Sequence, residues 1–163
     1  MVAQLQIRKA VESDLAGILA LYRELRPHDP VLAPTVAREA FTSLLSQSNV
    51  HLMVCEVGNM LVATCMLAVI PNIASGARPF GVIEHVVTLT SHRKRGYARL
   101  VLERALAEAW AGGCCKVMLL SGVKREEAHK LYESVGFLAD VERGFVVKPG
   151  MRSNTSLERT RDR

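Results

Sequence analysis

The sequence predicts one mixed α/β (α+β) domain, a central mixed β-sheet of about six to seven strands with helices on its faces. Three observations predict it. Apolar residues recur with helical period over 98–110, at Ala98, Val101, Leu102, Ala105, Leu106, Ala109 and Trp110. Gly58-Asn59 separates two apolar runs, 51–57 and 60–70, as a hairpin turn does. No internal repeat or linker interrupts the 163 residues, a length that suits one domain.

The elements follow in the order β-α-α-β-β-β-α-β-α-β. Leu5 and Ile7 alternate with polar neighbours, predicting a first strand over 3–9. Ser13 or Asp14 caps a helix whose apolar face is Leu15, Ile18, Leu19, Tyr22 and Leu25. Pro27, Pro30 and Pro34 break the chain after it, in a connection carrying His28 and Asp29. Pro34-Thr35 opens a second helix that runs through Phe41, Leu44 and Leu45 to about Gln47. After the hairpin, 71–79 reads as a loop and 80–89 as a strand. The 98–110 helix carries the pairs Arg99–Glu103 and Arg104–Glu108 on its outer face and ends at Gly112-Gly113. A buried strand over 115–120, a helix over Glu126–Ser134 stopped by Gly136, and one or two strands over 137–147 complete the domain at about residue 148.

Composition narrows the class. Hydrophobic residues make up 49% and charged residues 23%, too apolar for a disordered chain. No apolar run reaches the ~18–20 residues of a membrane span, and Met1 to Arg8 do not read as a secretory signal. Cys55, Cys65, Cys114 and Cys115 show no metal-ligand spacing, so no metal is expected; they read as reduced thiols of a cytoplasmic protein. The net charge of +5 fits a nucleic acid, a phosphorylated ligand or a charged tail. The tail accounts for part of it: 149–163 carries four Arg against Glu158 and Asp162, and its composition predicts disorder.

Much of the remaining charge gathers where the 80–89 strand runs into the regular helix. That junction reads Val86-Val87-Thr88-Leu89-Thr90-Ser91-His92-Arg93-Lys94-Arg95-Gly96-Tyr97-Ala98. Free N–H groups at a helix start form an anion site, strengthened by the helix dipole. Gly96 lets backbone approach a phosphate closely, Ala98 keeps the first turn open, and Arg93, Lys94, Arg95 and Arg99 add cations. A solvated basic turn is the plain alternative. Neither a Walker loop nor a G-x-G-x-x-G is present, so the phosphate grip is of another kind.

Arg93-x-x-Gly96-x-Ala98, entered from a Val-rich strand, resembles the pyrophosphate loop of GNAT superfamily N-acetyltransferases. Leu131-Tyr132-Glu133-Ser134-Val135-Gly136-Phe137 is similar to that family's Y-x-x-x-G-F landmark, in the family order. The resemblance covers about residues 3–147. It implies a GNAT-like sheet and acetyl-CoA as co-substrate, with pyrophosphate on the amides of 93–98, Tyr97 among them, and the pantetheine arm against Val86, Val87 and Thr88. Tyr132 is then the candidate acid for the departing thiolate. Its spacing with Ala128, Leu131 and Val135 also fits simple core. The oxyanion donor implied is the Val86 or Val87 amide.

An alkyl ammonium with a pKa near ~10 needs a base before it attacks a thioester. Glu84 is the candidate, since strand alternation places it on the face of Val86 and Thr88. Its alternative is a carboxylate facing solvent or pairing with an arginine. Alternation turns His85 to the opposite face, as a structural or substrate-lining residue, and His129 reads as a surface residue. Many relatives carry Asn where this chain has Arg125, which either holds a CoA phosphate or belongs to a solvated charge run.

Ile83-Glu84-His85-Val86-Val87 and Gly113-Cys114-Cys115-Lys116-Val117 resemble segments of glucosamine-phosphate N-acetyltransferases. Lys124-Arg125-x-x-Ala128-His129-x-x-Tyr132 is similar to aminoalkylphosphonate acetyltransferases. Both imply a small anionic amine as acceptor, with His28 and Arg78 in flanking loops. A peptide acceptor or a non-catalytic acyl-CoA-binding member of the family are the alternatives, and GNAT enzymes are commonly dimers. A nucleic-acid partner is not expected: the chain has one Trp, three Tyr and four Phe, and no recognised binding motif.

Overall fold

A computed structural model describes residues 4–149, and the tail predicted over 149–163 lies, apart from Pro149, outside the described residues. Among the described residues, five strands form one mixed sheet in the order β1-β2-β3-β4-β5: β1 (Leu5–Lys9), β2 (Val50–Val57), β3 (Met60–Ile70), β4 (Phe80–Thr88) and β5 (Val117–Leu119). The first four are antiparallel neighbours, and β5 lies parallel to β4. Short hairpin chemistry explains the first kind: Gly58, at φ +62, turns β2 straight into β3. A parallel neighbour requires a crossover, which the helix α4 (Tyr97–Ala111) supplies.

Helices cover both faces. On one side lie α1 (Leu15–Leu25) and α2 (Pro34–Leu45), where Ile18 and Phe41 pack on Leu52 and Val54. On the other, Val101, Leu102, Ala105 and Ala109 of α4 pack on Met53, Cys55, Ala63, Cys65 and Leu67. The short α5 (Glu126–Ser134) joins this second core through Tyr132. A single turn α3 (Ala74–Ala77) lies within the predicted 71–79 loop, with Ser75, Gly76 and Ala77 at positive φ.

Alpha1 borders the site described below, and a charge cluster fixes its start. The Arg8 guanidinium donates to both carboxylate oxygens of Asp14, at 2.6 and 2.9 Å, and to Glu56 at 2.8 Å. The Val11 amide donates to Asp14 as well, at 2.8 Å. Burial pushes the Asp14 carboxyl up, but these donors outweigh it and hold its pKa below the ordinary value.

The sheet is smaller than predicted. Beta5 spans three residues rather than 115–120, and 137–147 forms no strand. That segment lies beside β5, tied by the Lys116 ammonium to the Glu142 carboxylate at 2.8 Å. A three-residue edge offers little backbone to pair, and Asp140, at φ +60, bends the chain away from an extended course. Leu138, Val141, Phe145 and Val147 consequently stay exposed. Trp110, placed by periodicity on the apolar face of α4, is also more than half exposed, beside this segment.

All four cysteines are free thiols. Burial pushes the Cys55 thiol up to about 11 and the Cys65 thiol up to about 12, so both are protonated at neutral pH and act as core. No helix among the described residues is long and apolar enough to cross a membrane.

Candidate active site

The site begins where β4 and β5 part. Their pairing runs from Gly81–Val117 through Ile83–Leu119 and stops, while β4 continues to Thr88. From Glu84 onward, β4 therefore has no ladder partner on that side among the described residues. Backbone N–H and C=O groups along this edge are available to a ligand that pairs as a strand does.

A bulge lies at the same place. On the β3 side Met66 pairs with Glu84 and Thr64 with Val87, so His85 and Val86 stand opposite the single residue Cys65. His85 takes up the extra length with a left-handed backbone, φ +55. The bulge corrects two sequence expectations, because an extra residue reverses alternation. Glu84 shares a face with Val87, whereas Val86 and Thr88 turn toward the α4 core, as Ala63, the partner of Thr88, does. His85 does not point away from Glu84's surroundings: both line one cavity, and the imidazole lies 5.2 Å from the Tyr22 ring of α1, centroid to centroid. Burial holds the His85 pKa below its ordinary value; Glu84 and Asp29 oppose that and Arg26 adds to it.

That cavity, of about 260 Å³, is bounded by α1 at Leu25 and Arg26, by β4, by Leu119 to Gly122, and by Arg125 and Tyr132 of the last helix region. The connection after β5 is held by the carbonyl of Gly122, which accepts from the Arg125 amide and from His129 Nε2, both at 3.0 Å. Half-buried at the surface, His129 thus helps to fix this wall. No residue pattern in the sequence announces that contact.

A second, larger groove of about 740 Å³ runs over the start of α4. Thr90 donates from its amide (2.7 Å) and its hydroxyl (2.9 Å) to Glu24 of α1, which anchors the entry to the basic loop. Lys94 and Gly96 follow at φ +61 and +83, and Gly96 caps the helix. A left-handed cap costs glycine little and any other residue about 1–2 kcal/mol. The first-turn amides have no intrahelical acceptor and open into the groove at Gly96, Tyr97, Ala98 and Arg99. Arg93 and Lys94 line it too, while the Arg95 side chain does not. Arg99 is shared with Glu103, at 2.7 Å, and Lys94 with Glu127, at 3.7 Å.

The groove and the cavity share Leu25, Val86, Arg125 and Tyr132. Tyr132 is 8% exposed, braced edge-on by Phe137 at 6.2 Å. Burial raises its pKa, Arg125 lowers it, and Glu84 and Cys65 raise it further. The net effect keeps the phenol protonated at neutral pH, the state of a proton donor.

Two predicted acceptor residues are not brought here. Arg78 donates to the carbonyls of Gly113, at 3.2 Å, and Cys114, at 3.0 Å, and so braces the loop before β5. His28 lies exposed in the connection after α1 and lines neither cavity. Arg26, two residues earlier, lines the smaller cavity, and no residue pattern singles it out.

The β4 edge left open past the end of β5, the glycine-capped start of α4 and the buried Tyr132 lie along the two joined cavities. The acetyltransferase (GNAT) family matches residues 18–137, and the chain belongs to that family. It is similar to a putative acetyltransferase from Agrobacterium tumefaciens, with 39% identity and a TM-score of 0.84 over 88% of this chain and 99% of that one. It also resembles a Trypanosoma brucei acetyltransferase, at 26% identity and a TM-score of 0.74 over 89% and 99% of the two chains. Glucosamine-6-phosphate N-acetyltransferase from Arabidopsis thaliana shares the fold, at 21% identity and a TM-score of 0.76 over 89% and 97%. Comparison with curated proteins gave no match.

Proposed function

We propose that this enzyme transfers the acetyl group of acetyl-CoA to the primary amine of a small anionic acceptor. The observation that carries the proposal is the meeting of the two cavities at Val86 and Tyr132. The groove suits the donor: first-turn amides and Arg93 for the pyrophosphate, the open β4 edge from Val86 to Thr88 for the pantetheine amides. The cavity suits an acceptor the size of an amino acid or amino sugar, too confined for a folded protein surface.

The chemistry then follows from position. Glu84 takes the proton of the acceptor ammonium, directly or through a water. The amine nitrogen attacks the thioester carbonyl carbon, the C–N bond forms, and the oxyanion is held by the Val86 or Val87 amide. As the C–S bond breaks, Tyr132 gives its proton to the leaving sulfur; the second proton of the attacking nitrogen, shed as the amide forms, restores the phenol directly or through water, and Glu84 releases its own to solvent. Arg125, at the shared wall, faces either a CoA phosphate or the acceptor.

The test is a thermal shift with acetyl-CoA followed by thiol release across an amine library. Stabilisation with turnover of small anionic amines is the expected result. Stabilisation without thiol release from any amine would make the chain a binding member of the family, and turnover confined to peptides would overturn the acceptor class.

A dimer belongs to the same proposal. The outer edge of β5 has no partner strand among the described residues, and a groove of about 710 Å³ runs along it beside Trp110. Exposed Phe145, Val146 and Val147 are apolar and follow Gly144, which lies against Leu120 just past that edge. The proposed cover is a second copy of this chain, whose own 145–147 segment supplies what the edge lacks. Light scattering on a sizing column should give a dimer, and Phe145→Asp a monomer; a monomeric wild type would overturn it.

A further inference from the structure

The acceptor cavity carries polar groups that acetyl transfer, as outlined above, does not use. Two buried side-chain atoms in it have no hydrogen-bond partner among the described residues, His85 Nδ1 and Ser121 Oγ. Buried polar atoms are almost always paired, and an unpaired one is costly. Both residues line the same cavity. His85 sits in the β4 bulge; Ser121 lies two residues past the end of β5, where the strands have parted.

The charges around them are uneven. Arg26 and Arg125 border the cavity, and Glu84 is the only carboxylate among its lining residues. If Glu84 faces the ammonium of the acceptor, both guanidinium groups are left for negative charge. Arg26 approaches from the end of α1, on the side that meets His85.

We propose that this end of the cavity is an anion subsite, in which Ser121 Oγ, His85 and Arg26 hold the carboxylate, phosphonate or phosphate of the acceptor. The hydroxyl donates one hydrogen bond and His85 another in its Nδ1–H tautomer. The Arg26 fork matches two oxygens of one oxyanion. Glu84, which lines the same cavity, then receives the amine, so the subsite fixes which nitrogen meets the thioester. This rests on the acetyl-transfer reading for the amine, but the anion end can be measured without catalysis.

Two measurements test it. In the first, thiol release is compared for matched pairs: 2-aminoethylphosphonate against ethanolamine, glucosamine 6-phosphate against glucosamine, and β-alanine against propylamine. Wild type is expected to favour at least one anionic partner by about tenfold or more in kcat/KM. Arg26→Gln should erase most of that ratio through KM, with kcat for the anionic acceptor within about twofold. Ser121→Ala should reduce the ratio without lowering the melting temperature, because the hydroxyl it removes has no partner in the protein. A merely structural role would lower the melting temperature and leave the ratio alone.

In the second, inorganic phosphate is titrated into protein saturated with CoA, so that the larger groove is already occupied. Phosphate should raise the melting temperature of wild type and do so less in Arg26→Gln. Equal turnover of charged and neutral partners, with no phosphate stabilisation, would overturn the subsite while acetyl transfer stands. Phosphate stabilisation that depends on Arg26, with no thiol release from any amine, would sustain the subsite and overturn the acetyl-transfer reading.

Discussion

The groove over α4 and the cavity beside β4 meet at Tyr132, yet they are built by different means. The groove is made largely of backbone: a left-handed glycine cap, first-turn amides and an unpaired strand edge. Few of its side chains need to be particular, and two of its cations, Lys94 and Arg99, are shared with carboxylates on the protein itself. The cavity is made of side chains gathered from α1, β4, the end of β5 and the start of α5, with a bulge setting their directions. A backbone site tolerates changes of side chain and fails when its φ angles are lost. A side-chain site does the reverse.

Tyr132→Phe tests the shared wall and carries the largest expected effect. It keeps the ring that packs on Phe137 and removes only the proton donor, so kcat should fall by ~10²-fold or more. Acetyl-CoA affinity, read by calorimetry, should stay within about twofold. An unchanged kcat across pH would take the acid role from Tyr132. A large loss of acetyl-CoA affinity would instead make it part of the groove and blur the division.

Gly96→Val comes next and addresses the groove alone. Nothing lies within 4 Å of the position a Cβ would occupy, so the effect is conformational rather than a clash. Holding a branched residue at φ +83 costs about 1–2 kcal/mol, or roughly 5–30-fold in acetyl-CoA affinity if the loop relaxes to avoid it. Acceptor KM at saturating acetyl-CoA should not move. A variant that binds acetyl-CoA as tightly as wild type would show that side-chain cations, not the cap, hold the phosphates.

The same division explains what could be read from the chain. In the proposed reading Gly96, Ala98 and the strand before them bind through backbone geometry, which leaves a spacing in the sequence, and the glycine cap and helix start it predicts are where the structure has them. Tyr132 was legible through the glycine four residues on, which ends its helix. His85 was not, because alternation assumes an unbroken ladder, and the extra residue at the bulge has no sequence mark of its own. Arg26 and Ser121 became neighbours of Glu84 only through the docking of α1 and the parting of β4 from β5. The one or two final strands expected over 137–147 do not form, because its apolar residues find no edge long enough to pair with. A strand is a property of two segments.

The smallest effect separates the two regions by pH. The His85 pKa is lowered, chiefly by burial, and the charges that bear on it are Glu84, Arg26 and Asp29. His51 is lowered as well, by burial and Lys9 against Glu108. Both imidazoles therefore prefer to be neutral in the folded protein, and the unfolded chain takes up these protons first as pH falls. Stability should be complete above the unfolded value of about 6.5 and decline as pH drops from there through the folded values. Asp14, also lowered, contributes above about 3.9 and is lost only below it, so the two windows do not overlap. Melting temperatures from pH 7.5 to 5.5 should show a shallow fall that is shallower in His85→Gln, with the His51 share remaining. Ligands then sharpen the contrast. An anion seated against His85 favours the charged imidazole, so phosphate added to CoA-saturated protein should flatten the slope, whereas CoA alone, bound in the groove, should shift every melting temperature upward and leave the slope as it was. A slope flattened equally by CoA alone would mean that His85 senses the groove, and the two regions would be one electrostatic site rather than two.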